Sequence, residues 1–143
     1  MQPLYRSGLE IPEQVACKLR ERKENRMKEL KRDLLTSKHT RVLVEEEYTY
    51  NAPNHFAIEA QEDGKLLCEI NFQEGPIREC GVNGIHNEDL LNIVLERLSG
   101  FQKSKFRCRE NAVAITKIEE ALMWLRKRTD GREHRGVEGT SEV

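Results

Sequence analysis

The chain has 143 residues, 37% hydrophobic and 34% charged, with 24 basic and 25 acidic side chains for a formal net charge of -1. That length fits one domain whose modest core lies under a densely charged surface, a composition suited to a protein that completes its burial by self-association. The balanced charge argues against a general binder of nucleic-acid polymers but leaves room for a local basic pocket, and no run of 18 apolar residues suggests a membrane span.

The first segment, residues 1–38, contains a helical pattern over residues 13–35, "EQVACKLRERKENRMKELKRDLL". Val15, Leu19, Met27, Leu30 and Leu34 make a thin apolar stripe, Pro12 precedes it, and Glu24–Lys28 is an i,i+4 ion pair. The pattern predicts a solvated, charged helix that docks along one edge, on a neighbouring subunit. The alternative, a basic helix for nucleic acid, is disfavoured by the acids interrupting its basic face.

From residue 39 onward, the 39–143 unit, the period changes to 2. In "TRVLVEEEYTY" Val42, Val44, Tyr48 and Tyr50 share one face, and Glu45, Glu47 and Thr49 the other. The run Glu45 to Glu47 is expected to be solvated. "NHFAIEAQ" alternates through Phe56, Ile58 and Ala60, "EDG" supplies a turn with Gly64 free to take a positive φ, and "KLLCEINFQ" aligns Leu66, Cys68, Ile70 and Phe72. Three strands in an antiparallel meander are predicted.

The connector "QEGPIRECGVNGIHNEDL" is rich in turn formers. Asn87 is the expected N-cap of a helix carrying Leu90, Leu91, Val94, Leu95 and Leu98, with Glu88 and Asp89 against its dipole and Gly100 ending it. The link "FQKSKFRCR" leads to a second helix from about Glu110 to Arg128, with Ala112, Ile115, Ile118, Leu122 and Leu125 on its apolar face. Met123 and Trp124 widen that face for a second contact. The two helices form an antiparallel hairpin. The fold class is α+β: an N-terminal charged helix, a three-stranded antiparallel meander and a C-terminal helical hairpin, in an oligomer.

No catalytic constellation emerges. GxSxG, P-loop, HExxH and GxGxxG patterns are absent, and "GVNG" lacks the Lys and buried strand of a phosphate loop. Cys17, Cys68, Cys80 and Cys108 form no CxxC pair, and His39, His55, His86 and His134 add no zinc spacing. The first residues carry no secretory signal, so reduced thiols in a cytosol are expected. No metal, cofactor or catalytic residue is assigned.

Binding groups concentrate in the C-terminal half. Phe101 and Gln102 sit in the link, Arg109, Glu110 and Asn111 open the second helix, and Arg126, Arg128, Arg132 and Arg135 follow its far end. Aromatic faces stack on bases, amides read base edges and Arg forks grip phosphates. The plainer alternative makes Phe101 a plug for the hairpin end, Asn111 a helix cap and the arginines complements of the helix dipole. Asn111 and Arg128 are 17 residues apart, about 25 Å along a helix. If both serve one pocket, a second subunit must contribute.

The motifs "NEDLL", "GFQ", "CRENA", "EEALMWLRKRT" and "RGVEGT" occur in order over about half the chain. They resemble the helical-hairpin family of phage anti-defence proteins that act against CBASS and Thoeris. The strand segment "INFQEGPI" ahead of "GVNG" resembles the Thoeris branch more closely. The resemblance implies a non-enzymatic sponge in the cytoplasm of the infected bacterium, which holds cyclic ADP-ribose isomers away from host effectors. Related members also take cyclic di- or trinucleotides in separate pockets of a hexamer built as a trimer of dimers. On this basis Phe101 stacks a base, Asn111 reads polar edges, Arg128 clamps phosphate or ribose, and Arg78 is a fourth match. Thr129 and Arg132 lie near a pocket. An enzyme that degrades such signals and a nucleic-acid-binding regulator are the alternatives.

Overall fold

A computed structural model describes residues 26–143. Strand β1 (Met27–Glu29) is followed by a 3-10 turn (Leu35–Lys38), β2 (Thr40–Glu45), β3 (His55–Ala60) and β4 (Leu66–Asn71). A short helix α1 (Ile77–Cys80) then precedes the long helices α2 (Asn87–Gln102) and α3 (Arg109–His134). The strands form one antiparallel sheet in sequential order. The α+β class and the hairpin are as expected, and the meander has four strands rather than three.

The added strand corrects the N-terminal expectation. Met27, Lys28 and Glu29 pair with Glu45, Val44 and Leu43, so the C-terminal part of the 13–35 helix is extended chain that ends in a 3-10 turn. Residues 13–25 lie outside the described residues. The physical cause is a stripe too thin to repay helix nucleation, beside a strand edge that offers hydrogen bonds. Leu30 N–H donates to the Val42 carbonyl at 2.8 Å, and Glu46 N–H to that of Arg26 at 2.9 Å.

Register gathers the apolar residues on one face. Val42 and Val44 oppose Ile58 and Phe56, which in turn oppose Cys68 and Ile70, and Phe72 meets Phe56 edge-on at 5.6 Å. The other face is mainly polar around a pair of Leu43 and buried Ala57: Arg41 grips Glu59 through Nε at 2.9 Å and Nη2 at 2.7 Å, and His55 Nδ1 lies 2.8 Å from Asn71 Oδ1. A bulge sets Glu59 opposite Leu66 while Ile58 stays opposite Cys68, so Leu66 leaves the Cys68–Ile70 row. Gly64 closes the β3–β4 turn at φ 71°, as expected.

Strand β2 stops at Glu45 rather than reaching Tyr50, and Tyr50 and Asn51 in the loop beyond it take left-handed backbone at φ 59° and 72°. Glu45 is not solvated. It is 2% exposed, and its Oε1 accepts the N–H groups of Asn54 at 2.6 Å and His55 at 3.1 Å. Buried Asn54 donates its Nδ2 to the Thr49 carbonyl. Together they close the β2–β3 loop.

The connector ties the hairpin to the sheet. Ile85 pairs in parallel with Phe72, and Gly84 passes so close that a Cβ there would lie 2.4 Å from the Phe72 carbonyl group. Gln73 donates Nε2 to the carbonyls of Gly75 and Gly81 and accepts Asn83 N–H at its Oε1. Asn83 exchanges two hydrogen bonds with the Glu74 backbone, at 2.7 and 2.8 Å.

Both long helices depart from their expected ends. His86, not Asn87, is the N-cap of α2, and its N–H donates to Asp89 Oδ2 at 2.8 Å. Gly100 lies inside α2, and α3 runs six residues past Arg128, through Gly131, to His134. Each glycine costs a helix interior roughly 0.5–1 kcal/mol, less than the packing of a hairpin returns. The true terminator is Gly136 at φ 72°: Gly136 N–H donates to Glu133 and Val137 N–H to Arg132, the paired bonds of a Schellman motif.

α2 and α3 pack on each other, yet no residue of either reaches full burial. Among the described residues no strand packs broadly against them. Ile93, Val94, Val113, Met123 and Trp124 remain exposed. None of the described helices is long and apolar enough to cross a membrane.

Candidate functional site

The proposed binding residues fall into two groups at opposite ends of the hairpin. At its tip, Phe101 occupies the last turn of α2 and Asn111 the first turn of α3. The tip is built by its own side chains. Gln102 Oε1 accepts Cys108 N–H at 2.9 Å, and the Cys108 sulfur accepts Asn111 N–H at 3.4 Å. Ser104 Oγ donates to the Phe101 carbonyl and accepts Phe106 N–H.

Cys108 is therefore the helix cap, not Asn111, and Gln102 is a fastener rather than a base reader. That leaves the Asn111 carboxamide half-buried, with no hydrogen-bond partner among the described residues. Phe101 is 38% exposed, with the Arg97 guanidinium 5.2 Å from its ring centroid. Arg97 is not among the residues expected from sequence, although its i,i+4 spacing to Phe101 is a signal for this contact.

At the far end, Arg128 projects from α3, exposed and without a hydrogen-bond or ion-pair partner among the described residues. Its neighbour Arg126 faces Asp130 at 3.8 Å. Thr129 is half-buried and donates its hydroxyl back to the Leu125 carbonyl at 3.2 Å. Arg132, one turn beyond Arg128, turns its guanidinium onto the chain's own C-terminal arm, residues 135–143. The arm reaches α1: Arg78 N–H donates to the Gly139 carbonyl at 3.0 Å, and the Arg78 stem lies against Gly139.

The fold thus joins Phe101 with Asn111, and joins Arg78, Arg132 and the "RGVEGT" arm. It separates the two groups by the length of α3 from Asn111 to Arg128, about 25 Å. The chemistry on offer is stacking and amide recognition at one end and guanidinium contact at the other. Among the described residues, no three His, Cys, Asp or Glu side chains are gathered as a metal ion would need.

Comparison with known proteins matches residues 64–130 to the family model "Acb2/Tad1, hairpin domain". The protein "Thoeris anti-defense 1" of Bacillus phage SBSphiJ7 is 45% identical over 141 aligned residues, spanning 81% of this chain and 99% of that one. The chain belongs to the Acb2/Tad1 family. The hairpin match contains Arg78, Phe101, Asn111, Arg128 and Thr129 but stops short of Arg132 and the arm.

Proposed function

We propose that this protein is a phage anti-defence factor against Thoeris, one that binds a cyclic ADP-ribose-type signal and withholds it without cleaving it. Family membership and the 45% identity to a protein named for that role support the biological assignment. The observation that carries the mechanism is the division of binding groups between the two ends of the hairpin. Phe101 and Asn111 stand at one end of the hairpin and Arg128 at the other, each with chemistry suited to half of a compact dinucleotide.

Two chains arranged antiparallel would bring the tip of one to the far end of the other. The exposed apolar side chains Val94, Val113, Met123 and Trp124 give such a pair surface to bury, and dimers so formed can assemble further into a hexamer. A pocket closed on all sides holds its ligand by burial, and tight binding needs no turnover. Cyclic di- and trinucleotides form a second ligand class, in separate pockets, and competition with cyclic ADP-ribose tests that separation.

The deciding experiment incubates the protein with the signal, denatures the complex and analyses the released small molecule. Recovery of intact signal in stoichiometric amount is expected. A linearised product would replace the sponge with an enzyme.

A further inference from the structure

The guanidinium of Arg132 is already committed. Its Nη1 donates to the Glu142 carbonyl at 2.8 Å, and its Nη2 to those of Val137 at 2.9 Å and Thr140 at 3.0 Å. Its own carbonyl accepts Val137 N–H at 3.1 Å. One residue of α3 therefore holds the arm from both its backbone and its side chain. Three carbonyls around one planar cation at a helix C-terminus are a favourable arrangement, and the fork suits Arg better than Lys.

The arm is shaped for this grip. Gly136 and Gly139 take φ 72°, and Thr140 turns its hydroxyl back to the Val137 carbonyl at 2.6 Å. The carbonyl of Gly139 accepts Arg78 N–H. A Cβ on Gly139 would meet Arg78 Cγ at 3.2 Å, so the arm also supports the stem of the Arg78 side chain.

We infer that Arg132 is a positioning residue: it clasps the C-terminal arm, and through Gly139 the arm sets Arg78, so that Arg132 serves ligand binding without touching ligand. The binding half of this statement rests on the sponge function, while the clasp itself does not. Arg132 then differs in kind from Arg128, one turn away and unengaged.

Hydrogen exchange on the full chain tests the clasp. The Arg78 amide reports on it from α1, a helix to which Arg132 makes no hydrogen bond. In Arg132→Ala the Arg78 amide and those of Val137 and Thr140 should exchange at least about tenfold faster, with α2 unchanged and Arg132→Lys intermediate. Unaltered protection of Arg78 in Arg132→Ala would overturn the inference.

A double-mutant cycle on affinity for cyclic ADP-ribose tests the route. Gly139→Val displaces the arm from Arg78 by strain and by contact. If Arg132 acts through the arm, the double variant binds no more weakly than the weaker single variant. Losses that multiply would mean that Arg132 contacts the ligand, and would overturn the positioning role. If the wild-type protein fails to bind any such signal, the sponge function falls, and Arg78 exchange still decides the clasp.

Discussion

Asn111 and Arg128 stand 17 residues apart on one helix, about 25 Å, and neither side chain has a hydrogen-bond partner among the described residues. A polar amide kept half-buried and unpaired carries a desolvation cost that a ligand can repay. An exposed arginine without a partner costs nothing to keep and is available to an anion.

Arg128→Ala should therefore leave the fold intact and weaken binding. The midpoint of thermal unfolding should stay within about 2 °C of the wild-type value, as for surface substitutions generally. Loss of a charge-assisted contact should lower affinity by roughly 10- to 100-fold. Calorimetric titration with cyclic ADP-ribose, paired with a melting curve, checks both. Wild-type affinity, or a collapsed fold, would count against the assignment of Arg128.

Glu45 should prove a structural acid. In Glu45→Ala the buried N–H of Asn54 and the half-buried N–H of His55 lose the carboxylate they share, at a cost of about 2 kcal/mol. Glu45→Gln keeps an acceptor oxygen in place and should lose less. Urea unfolding of the two variants gives the order directly, and equal stabilities would show that the carboxylate does not hold the loop.

Two glycines should respond with opposite sign. Gly84→Ala drives a methyl group into the Phe72 backbone, which cannot yield as a side chain would. A loss of about 3 kcal/mol is expected, at the upper end for overpacking. Gly100 is interior to α2 with nothing within 4 Å of an added Cβ. Gly100→Ala should raise stability by about 0.5–1 kcal/mol. Denaturant midpoints check both, and a destabilised Gly100→Ala would place Gly100 in a contact absent from the single chain.

The strands from β2 to β4 were legible because Val42, Val44, Phe56 and Ile58 alternate cleanly and Gly64 marks the turn. The N-terminal strand was not, since Met27 and Leu30 fit a helical stripe as well as an edge strand, and only β2's open edge decides between them. Glu45 looked like one member of an acidic surface run, and burial against loop N–H groups leaves no mark in sequence. Helix ends differ from the sequence expectation because glycine need not stop a helix: Gly100 is carried inside α2, α3 continues past Arg128 through Gly131, and Gly136 ends α3 where the arm folds back. Phe101 and Asn111 were expected at one end of the hairpin and are found there. That Arg132 faces inward, while Arg128 one turn earlier stays free, depends on the arm's path and could not be read from spacing.

In the proposed dimer one pocket takes Phe101 and Asn111 from one chain and Arg128 from another. Phe101→Ala and Arg128→Ala chains can be exchanged into mixed dimers and titrated with cyclic ADP-ribose. In each parent dimer every pocket carries one defect. In the mixed dimer one pocket carries both defects and the other none. Mixed dimers should bind with wild-type affinity at half the wild-type stoichiometry, and both parents should bind weakly. Mixed dimers that bind no better than their parents would contradict it.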